Sequence, residues 1–370
     1  MARKKLHSPK APVTPALPAA QGYHMPAEWE PHDATWLAWP HRRSDWPGKL
    51  PPIPWVYGEI IRWLHQAEPV NIIVNDAKAE RPVVVLLKRV GVDLKQINFW
   101  HWPTDRVWTR DYGPMFLLGP DGKKAFLDWR FNAWAKYSDW KNDDVIPSLI
   151  GEDAKLPGWQ PMHNGERVVL EGGSIDVNGQ GMLLTTEECL LSDVQARNPG
   201  LSRENLECIF ANYLNIKKVL WLNRGIAGDD THGHIDDLAR FVGVRTIVAV
   251  EEKNIDDENY EPLQENLARL REMTDLEGRE LEIVPLPMPS PLYLDGQRLP
   301  VSYANFYIAN GLVLVPTFND PHDRIALGTL ADLFPGRKVV GIHAVDLVWG
   351  LGTLHCMTQQ EPASVVAESS

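Results

Sequence analysis

The stretch Gly173-Ser174-Ile175-Asp176-Val177-Asn178-Gly179-Gln180-Gly181-Met182-Leu183-Leu184-Thr185 decides the fold. Two short β-type runs flank Asn178-Gly179-Gln180-Gly181, a turn that supplies the positive φ angles a tight β connection demands, so residues 173–185 read as a hairpin. The same design recurs at 114–131, 239–250 and 304–316, around Gly119-Pro120-Asp121-Gly122, Gly243-Val244-Arg245 and Asn310-Gly311. After three of the hairpins the apolar residues change to three- and four-residue spacing, as in Leu206, Ile209, Phe210 and Tyr213, and again in Leu263, Leu267 and Leu270, which predicts helices. A further β-type run follows each helix, at 219–222, 281–284 and 339–342. The repeating unit is therefore strand, strand, helix, strand. An imperfect N-terminal copy runs through 35–39, a helix at 57–65 and 70–74, which gives five units.

Units that repeat in this way bury their faces against one another, which favours a ring or solenoid over independent domains. The competing reading is an ordinary mixed α/β fold whose hairpins look alike by chance. The repeat predicts one continuous domain over 25–362, with a disordered tail at 1–24 and a short C-terminal tail at 363–370. Residues 1–24 contain Arg3, Lys4, Lys5 and Lys10, then Pro12, Pro15 and Pro18, without the apolar core of a secretory signal.

Composition narrows the function. With 370 residues, 44% hydrophobic and 23% charged, and no run approaching a membrane span, the chain reads as a soluble globular protein. A net charge of −12 speaks against nucleic acid and for a small cationic partner, although such a charge also serves solubility alone. Only Cys189, Cys208 and Cys356 occur, which fits neither a disulfide framework nor a zinc ribbon and predicts a reducing, cytoplasmic compartment. The pattern admits a homo-oligomer without requiring one.

Four polar clusters sit at the rims of the units: 108–114 (Trp-Thr-Arg-Asp-Tyr-Gly-Pro), Glu171-Gly172-Gly173, His232-Gly233-His234-Ile235-Asp236-Asp237, and 350–356 ending in His355-Cys356. Equivalent positions in a ring converge on its axis, so an acid, a histidine and a cysteine from different units share one cleft. Cys356 follows a Gly-x-Gly turn, where close ligand approach and free amides would lower a thiol pKa. Buried small hydrophobe is the bland alternative for a lone cysteine, and it is the reading given to Cys189 and Cys208. In an extended segment His234 and Asp236 project to one side, a base beside an anionic anchor, unless the histidine merely satisfies local hydrogen bonds. Glu171 ends an apolar run and faces a cleft or solvent; Asp111 either serves a ligand or pairs with Arg110. Trp108 is either a core aromatic or a surface for the methylenes of a long cation.

These residues and motifs resemble the agmatine deiminase and bacterial peptidyl-arginine deiminase family of the guanidino-group modifying, or pentein, superfamily. The matching stretches include Met25-Pro26-Ala27-Glu28-Trp29-Glu30-Pro31, residues 108–114, Asp128-Trp129-Arg130-Phe131-Asn132-Ala133-Trp134, Tyr303-Ala304-Asn305-Phe306, Asn319-Asp320-Pro321 and His355-Cys356-Met357-Thr358-Gln359-Gln360. The resemblance implies an α/β fold in the form of a five-bladed propeller with a pseudo-fivefold repeat. It implies Cys356 as nucleophile, His234 as general acid and base, Glu171 as its supporting carboxylate and a guanidinium contact, and Asp111 and Asp236 as the guanidinium-binding pair. The implied reaction converts agmatine to N-carbamoylputrescine and ammonia, a step towards putrescine, without metal or organic cofactor; peptidyl-arginine is the alternative substrate. Where some relatives carry three consecutive glycines, this chain has Gly350-Leu351-Gly352, and it has a second histidine at the variable position 232.

Two rivals come from other classes. His232-x-His234-x-Asp236 resembles the opening of a metallohydrolase signature, though Asp237 stands where the next histidine belongs, and chelator resistance would separate the two. The second is a binding protein that stacks ligands on Trp29, Trp36, Trp39 and Trp46, which leaves the Cys356 cluster without a role.

Overall fold

The computed structural model describes residues 16–364. In the first unit β1 (His32–Ala38) is buried along nearly its whole length, and α1 (Ile53–Leu64) carries the chain to β2 (Val70–Val74), which runs parallel to β1 with Thr35 opposite Val70. A second helix, α2 (Ala77–Arg89), starts at the Asp76 cap and leads to β3 (Ile97–His101), again parallel to its neighbour. The second unit opens with one helical turn, α3 (Thr109–Tyr112). It continues through the hairpin β4 (Met115–Leu118) and β5 (Lys124–Leu127), then α4 (Ile146–Ala154) and β6 (Gly158–Trp159). A small ribbon, β7 (Met162–His163) with β8 (Glu166–Arg167), follows.

The third unit is β9 (Asp176–Val177), β10 (Met182–Thr186), α5 (Glu187–Leu191), α6 (Arg203–Leu214) and β11 (Lys218–Leu222). The fourth is β12 (Ala239–Phe241), β13 (Thr246–Glu251), α7 (Tyr260–Glu272) and β14 (Glu282–Pro287). After the ribbon β15 (Tyr293–Leu294) and β16 (Gln297–Arg298) comes the fifth: β17 (Tyr307–Ala309), β18 (Leu312–Thr317), α8 (Asp323–Leu333) and β19 (Lys338–His343). All four expected hairpins form as antiparallel pairs, and each following strand lies parallel to the second strand of its hairpin. A parallel pair needs a crossover, and the helices supply it. Leu206, Ile209, Phe210 and Tyr213 on α6 and Leu263, Leu267 and Leu270 on α7 are the buried faces that the spacing predicted.

The N-terminal unit is completed from the other end of the chain. The last strand, β20 (Gln359–Pro362), pairs antiparallel with β1, with Trp36 opposite Gln359, so the sheet order is β20-β1-β2-β3. The result is a mixed α/β architecture of five separate sheets of three or four strands, with no closed sheet among the described residues.

The N-terminal tail needs correction. Residues 1–15 lie outside the described residues, but within 16–24 a 3-10 turn forms at Ala19–Gln21, Tyr23 packs edge-on to Trp159 at 5.3 Å, and His24 bridges to Leu118. Aromatic burial and backbone pairing hold what composition alone assigned to disorder. In the C-terminal tail only Ala363 and Ser364 are described.

Charges also bind the units together. Arg240, fully buried on β12, meets Glu28 Oε2 at 2.7 Å and Asp176 Oδ1 at 3.1 Å, and donates to the Phe306 carbonyl at 2.9 Å. One guanidinium thus joins the third, fourth and fifth units to the N-terminal segment. Removing it takes the cationic partner from buried Asp176 and leaves Glu28 with only His355 and Arg110, so Arg240→Ala should cost about 3–5 kcal/mol. Urea unfolding followed by circular dichroism checks this; an unshifted midpoint would show that the network carries no stability.

Candidate active site

Loops between the units carry their polar residues inward. Gly233 at φ 95° turns the chain so that a 3-10 turn, Ile235–Asp237, follows His234. The segment is thus a tight turn, not the extended run expected, because backbone amides of Gly233 and His234 are gathered onto Asp229 Oδ2 at 2.7 and 3.1 Å. His234 and Asp236 still face each other, with Nδ1 3.9 Å from Asp236 Oδ1. Asp111 Oδ1 lies 3.8 Å from the same nitrogen, and on the other side of the ring Nε2 lies 3.8 Å from Glu171 Oε2. Both ring nitrogens and Asp236 Oδ1 are buried with no protein hydrogen-bond partner. Buried polar groups are normally paired, so the bare Nδ1 and Asp236 Oδ1, which face each other, mark a place built for a ligand.

Glycine makes that place. A Cβ on Gly173 would stand 2.5 Å from His234 Nδ1, 2.8 Å from Asp111 Oδ1 and 3.1 Å from Asp236 Oδ2. The absent side chain lets three functional groups close around one backbone position, whose amide also donates to Asp111 Oδ1 at 3.1 Å.

Cys356 completes the group. Its Sγ lies 3.6 Å from Asp236 Oδ2 and 3.1 Å from Asn305 Nδ2. Asn305 Oδ1 in turn accepts from Thr353 Oγ1 at 2.7 Å and the His355 amide at 3.0 Å, which fixes the loop carrying the thiol. Asp236 Oδ2 is held by His355 Nδ1 at 2.8 Å, and His355 Nε2 meets Glu28 Oε2 at 2.8 Å. Glu171 is buried against Arg197, Nε to Oε1 at 3.1 Å.

The cavity above Cys356 has a volume of about 310 Å³. It is lined by Trp108, Asp111, Trp134, Leu351 and Gly352, together with Arg42, Asp45, Arg106, Tyr137, Asp139 and Asp230. Trp108 faces this space, backed by Trp46 at 5.7 Å between ring centroids. Leu351 occupies the left-handed region at φ 67°, where a branched side chain is strained, so the Gly-Leu-Gly departure has placed an apolar group on the cavity wall.

Electrostatics set the resting state. Burial pushes the Cys356 thiol up, and the carboxylates of Asp236, Asp237 and Asp111 push it further, well above an ordinary cysteine. The lowering by free amides that the Gly-rich turn suggested is therefore overturned, since three acids outweigh the backbone. Burial works against a protonated His234, but the Asp111 carboxylate with Cys189 and Glu171 raises it well above the usual value. For Glu171 burial acts upward, and Arg197 with His234 overrides it to bring the carboxyl down to about 2. Asp111 is raised to about 6, by burial and by Asp236 and Glu171 against the opposing pull of His234. The resting centre thus holds a neutral thiol and an imidazolium.

All six residues singled out from the sequence, Cys356, His234, Glu171, Asp111, Asp236 and Trp108, come together here. Arg110 does not: it is buried behind them, Nη1 to Gln360 Oε1 at 2.6 Å, and does not line the cavity. His232 turns away to Ser192 Oγ at 3.2 Å, so His232, His234 and Asp236 are not a ligand set. Among the described residues the group spaced for an ion is Glu171, Cys189 and His234. Cys208 is exposed on α6, not core. Four residues had been given no role: Asn305, a lone amide in an apolar run; His355, beside Cys356; Trp134, whose Nε1 donates to Asp111 Oδ2 at 2.9 Å; and Arg197, which nothing local betrays.

Gly173→Ala tests the geometry. It should lower turnover at least 100-fold by pushing His234 and Asp111 apart, while shifting the thermal midpoint by only a few degrees, on the order of a single overpacked site. Near-normal turnover would place the reacting groups elsewhere.

The profile of the Porphyromonas-type peptidyl-arginine deiminase family matches residues 24–362. The agmatine deiminase of Stutzerimonas stutzeri is 36% identical over 374 residues, covering 95% of this chain and 98% of that protein. The structure of the agmatine deiminase of Enterococcus faecalis superposes with a TM-score of 0.86 at 33% identity, over 95% of this chain and 99% of that one. A C. jejuni agmatine deiminase with substrate bound gives 0.82 at 30% identity, over 92% and 97%. With the match running through every unit and every polar cluster above, this chain belongs to the Porphyromonas-type peptidyl-arginine deiminase family.

Proposed function

We propose that this protein is an agmatine deiminase, a hydrolase of a linear amidine C–N bond that releases ammonia and leaves N-carbamoylputrescine. The observation that carries the reading is the pair of buried carboxylates, Asp111 and Asp236, flanking His234 beside Cys356 at the base of an acidic cavity. A guanidinium is planar, permanently charged and a bidentate donor, so two acids both neutralise it and fix its carbon in front of sulfur. We further read the five like units, each delivering a loop to one centre, as the blades of a five-bladed α/β propeller within a single domain over 25–362. The pairing of β20 with β1, which joins the two ends of the chain, supports that reading.

The chemistry follows from the charges. The guanidinium brings its positive charge between the carboxylates, which favours the thiolate, and the Cys356 proton is lost to solvent through the cavity as the substrate binds. Cys356 Sγ attacks the guanidinium carbon, forming a tetrahedral adduct. His234, held protonated with Nδ1 towards Asp111 and Asp236 and Nε2 towards Glu171, gives a proton to the departing nitrogen, the C–N bond breaks and ammonia leaves. A covalent thiouronium on Cys356 remains. The now neutral His234 takes a proton from water, which attacks the same carbon; the S–C bond breaks, the thiolate leaves and the urea product forms.

Selectivity comes from the cavity lining, where Asp45, Asp111, Asp139 and Asp230 meet Arg42 and Arg106; both arginines already pair with Asp139, and Asp230 pairs with Lys136. Agmatine brings an ammonium to these carboxylates. Free arginine adds a carboxylate that must take a paired arginine from its partner, a cost on the order of a hundredfold in discrimination. A second reading, deimination of a C-terminal arginine in peptides, is favoured only by those two arginines. Ammonia release from agmatine, arginine and a C-terminal arginyl peptide should give agmatine the highest kcat/KM by about two orders of magnitude. A peptide turned over as well as agmatine would select the second reading.

A further inference from the structure

Cys189 was expected to be inert core. It is 1% exposed, yet its thiol lies in one cluster with a His234 nitrogen and a Glu171 oxygen, all within 4.8 Å of one another. The fold holds it there: Thr186 Oγ1 accepts from the Cys189 amide at 3.0 Å and donates to the Gly233 carbonyl, tying the start of α5 to the turn that carries His234. The mechanism uses the Nδ1 side of the imidazole. Nε2, on the Glu171 side, is buried without a hydrogen-bond partner.

A thiolate, an imidazole nitrogen and a carboxylate make a three-ligand set of borderline-soft character, which suits zinc and its relatives rather than magnesium or calcium. The separation allows one ion to reach all three atoms at ligand distances of about 2.0–2.3 Å after small side-chain shifts. Arg197 Nε orients the Glu171 carboxylate, at 3.1 Å from Oε1 and 3.3 Å from Oε2.

We propose that Cys189 Sγ, His234 Nε2 and Glu171 form an inhibitory site for a thiophilic divalent cation of the zinc class, on the face of the imidazole opposite the substrate. On binding, the Cys189 thiol and the Nε2–H of the imidazolium each release a proton, and the sulfur–metal and nitrogen–metal bonds take their places. With Nε2 metal-bound, the ring can carry a proton only on Nδ1, and giving it up would leave an imidazolate. The acid–base cycle stops. That inhibitory half rests on the role of His234 proposed above; the binding half does not.

The test is calorimetric titration of the metal-free full-length protein with zinc ion, on wild type, Cys189→Ser and Cys356→Ser. Wild type and Cys356→Ser should bind one zinc alike, and Cys189→Ser should bind at least ~100-fold more weakly. Turnover of wild type should fall with zinc and return with chelator, while whatever turnover Cys189→Ser retains should be insensitive to zinc. Cobalt(II), which gives thiolate charge-transfer absorption, should colour wild type and Cys356→Ser but not Cys189→Ser, and it reads the ligand set even if the variant's stability is altered. Undiminished zinc binding in Cys189→Ser, or its loss in Cys356→Ser, would place the metal on the nucleophile and overturn the proposal. Absence of any zinc binding by wild type would overturn it equally.

Discussion

Carboxylates out of water are the constraint on which this structure turns. Glu28, Asp111, Glu171, Asp176, Asp236 and Asp237 are all buried within a few residues' reach of one another. Such charges persist only when paired or when a ligand pairs them. Arg240 and His355 serve Glu28, Arg197 serves Glu171, and His355 serves one oxygen of Asp236. The other Asp236 oxygen has no partner. The protein therefore carries a deficit of positive charge at one point, beside a sulfur, and a guanidinium supplies it.

The fold exists to bring these acids together from distant sequence. Asp111 follows β3, Glu171 and Asp236 precede the hairpins of the third and fourth units, Asn305 precedes that of the fifth, and Cys356 precedes β20. Because β20 pairs with β1, Cys356 sits on the join between the two ends of the chain. The same network that anchors Asp236, through His355 and Glu28 to Arg240, also ties three units together. Stability and chemistry thus share their charged groups.

The repeat was legible because its turns are local: Asn178-Gly179 and Asn310-Gly311 state their hairpins within a few residues, and α6 and α7 state their buried faces by spacing. Long-range pairings were not. Gln359 and Gln360 read as a polar run, yet they form a buried strand whose partner lies more than 300 residues away, with Gln360 satisfied by Arg110. α4 was hidden by Pro147 and Gly151, the latter required because Phe126 would lie 2.1 Å from any Cβ there. The six site residues were visible as polar clusters at unit rims. Arg197 and the second role of Cys189 were not, because a buried ion pair and a thiol behind a ring leave no local pattern. The direction of the Cys356 shift was misjudged for the same reason: the acids that raise it come from elsewhere in the chain.

The central claim is that the charge deficit beside Cys356 makes that sulfur a covalent catalyst for a guanidinium. Rapid acid quench of the enzyme during agmatine turnover, followed by peptide mass spectrometry, tests it most directly. The account predicts an amidine adduct on the peptide containing Cys356 and its absence, with turnover, in Cys356→Ser. An adduct on another residue, or full turnover by the serine variant, would contradict it.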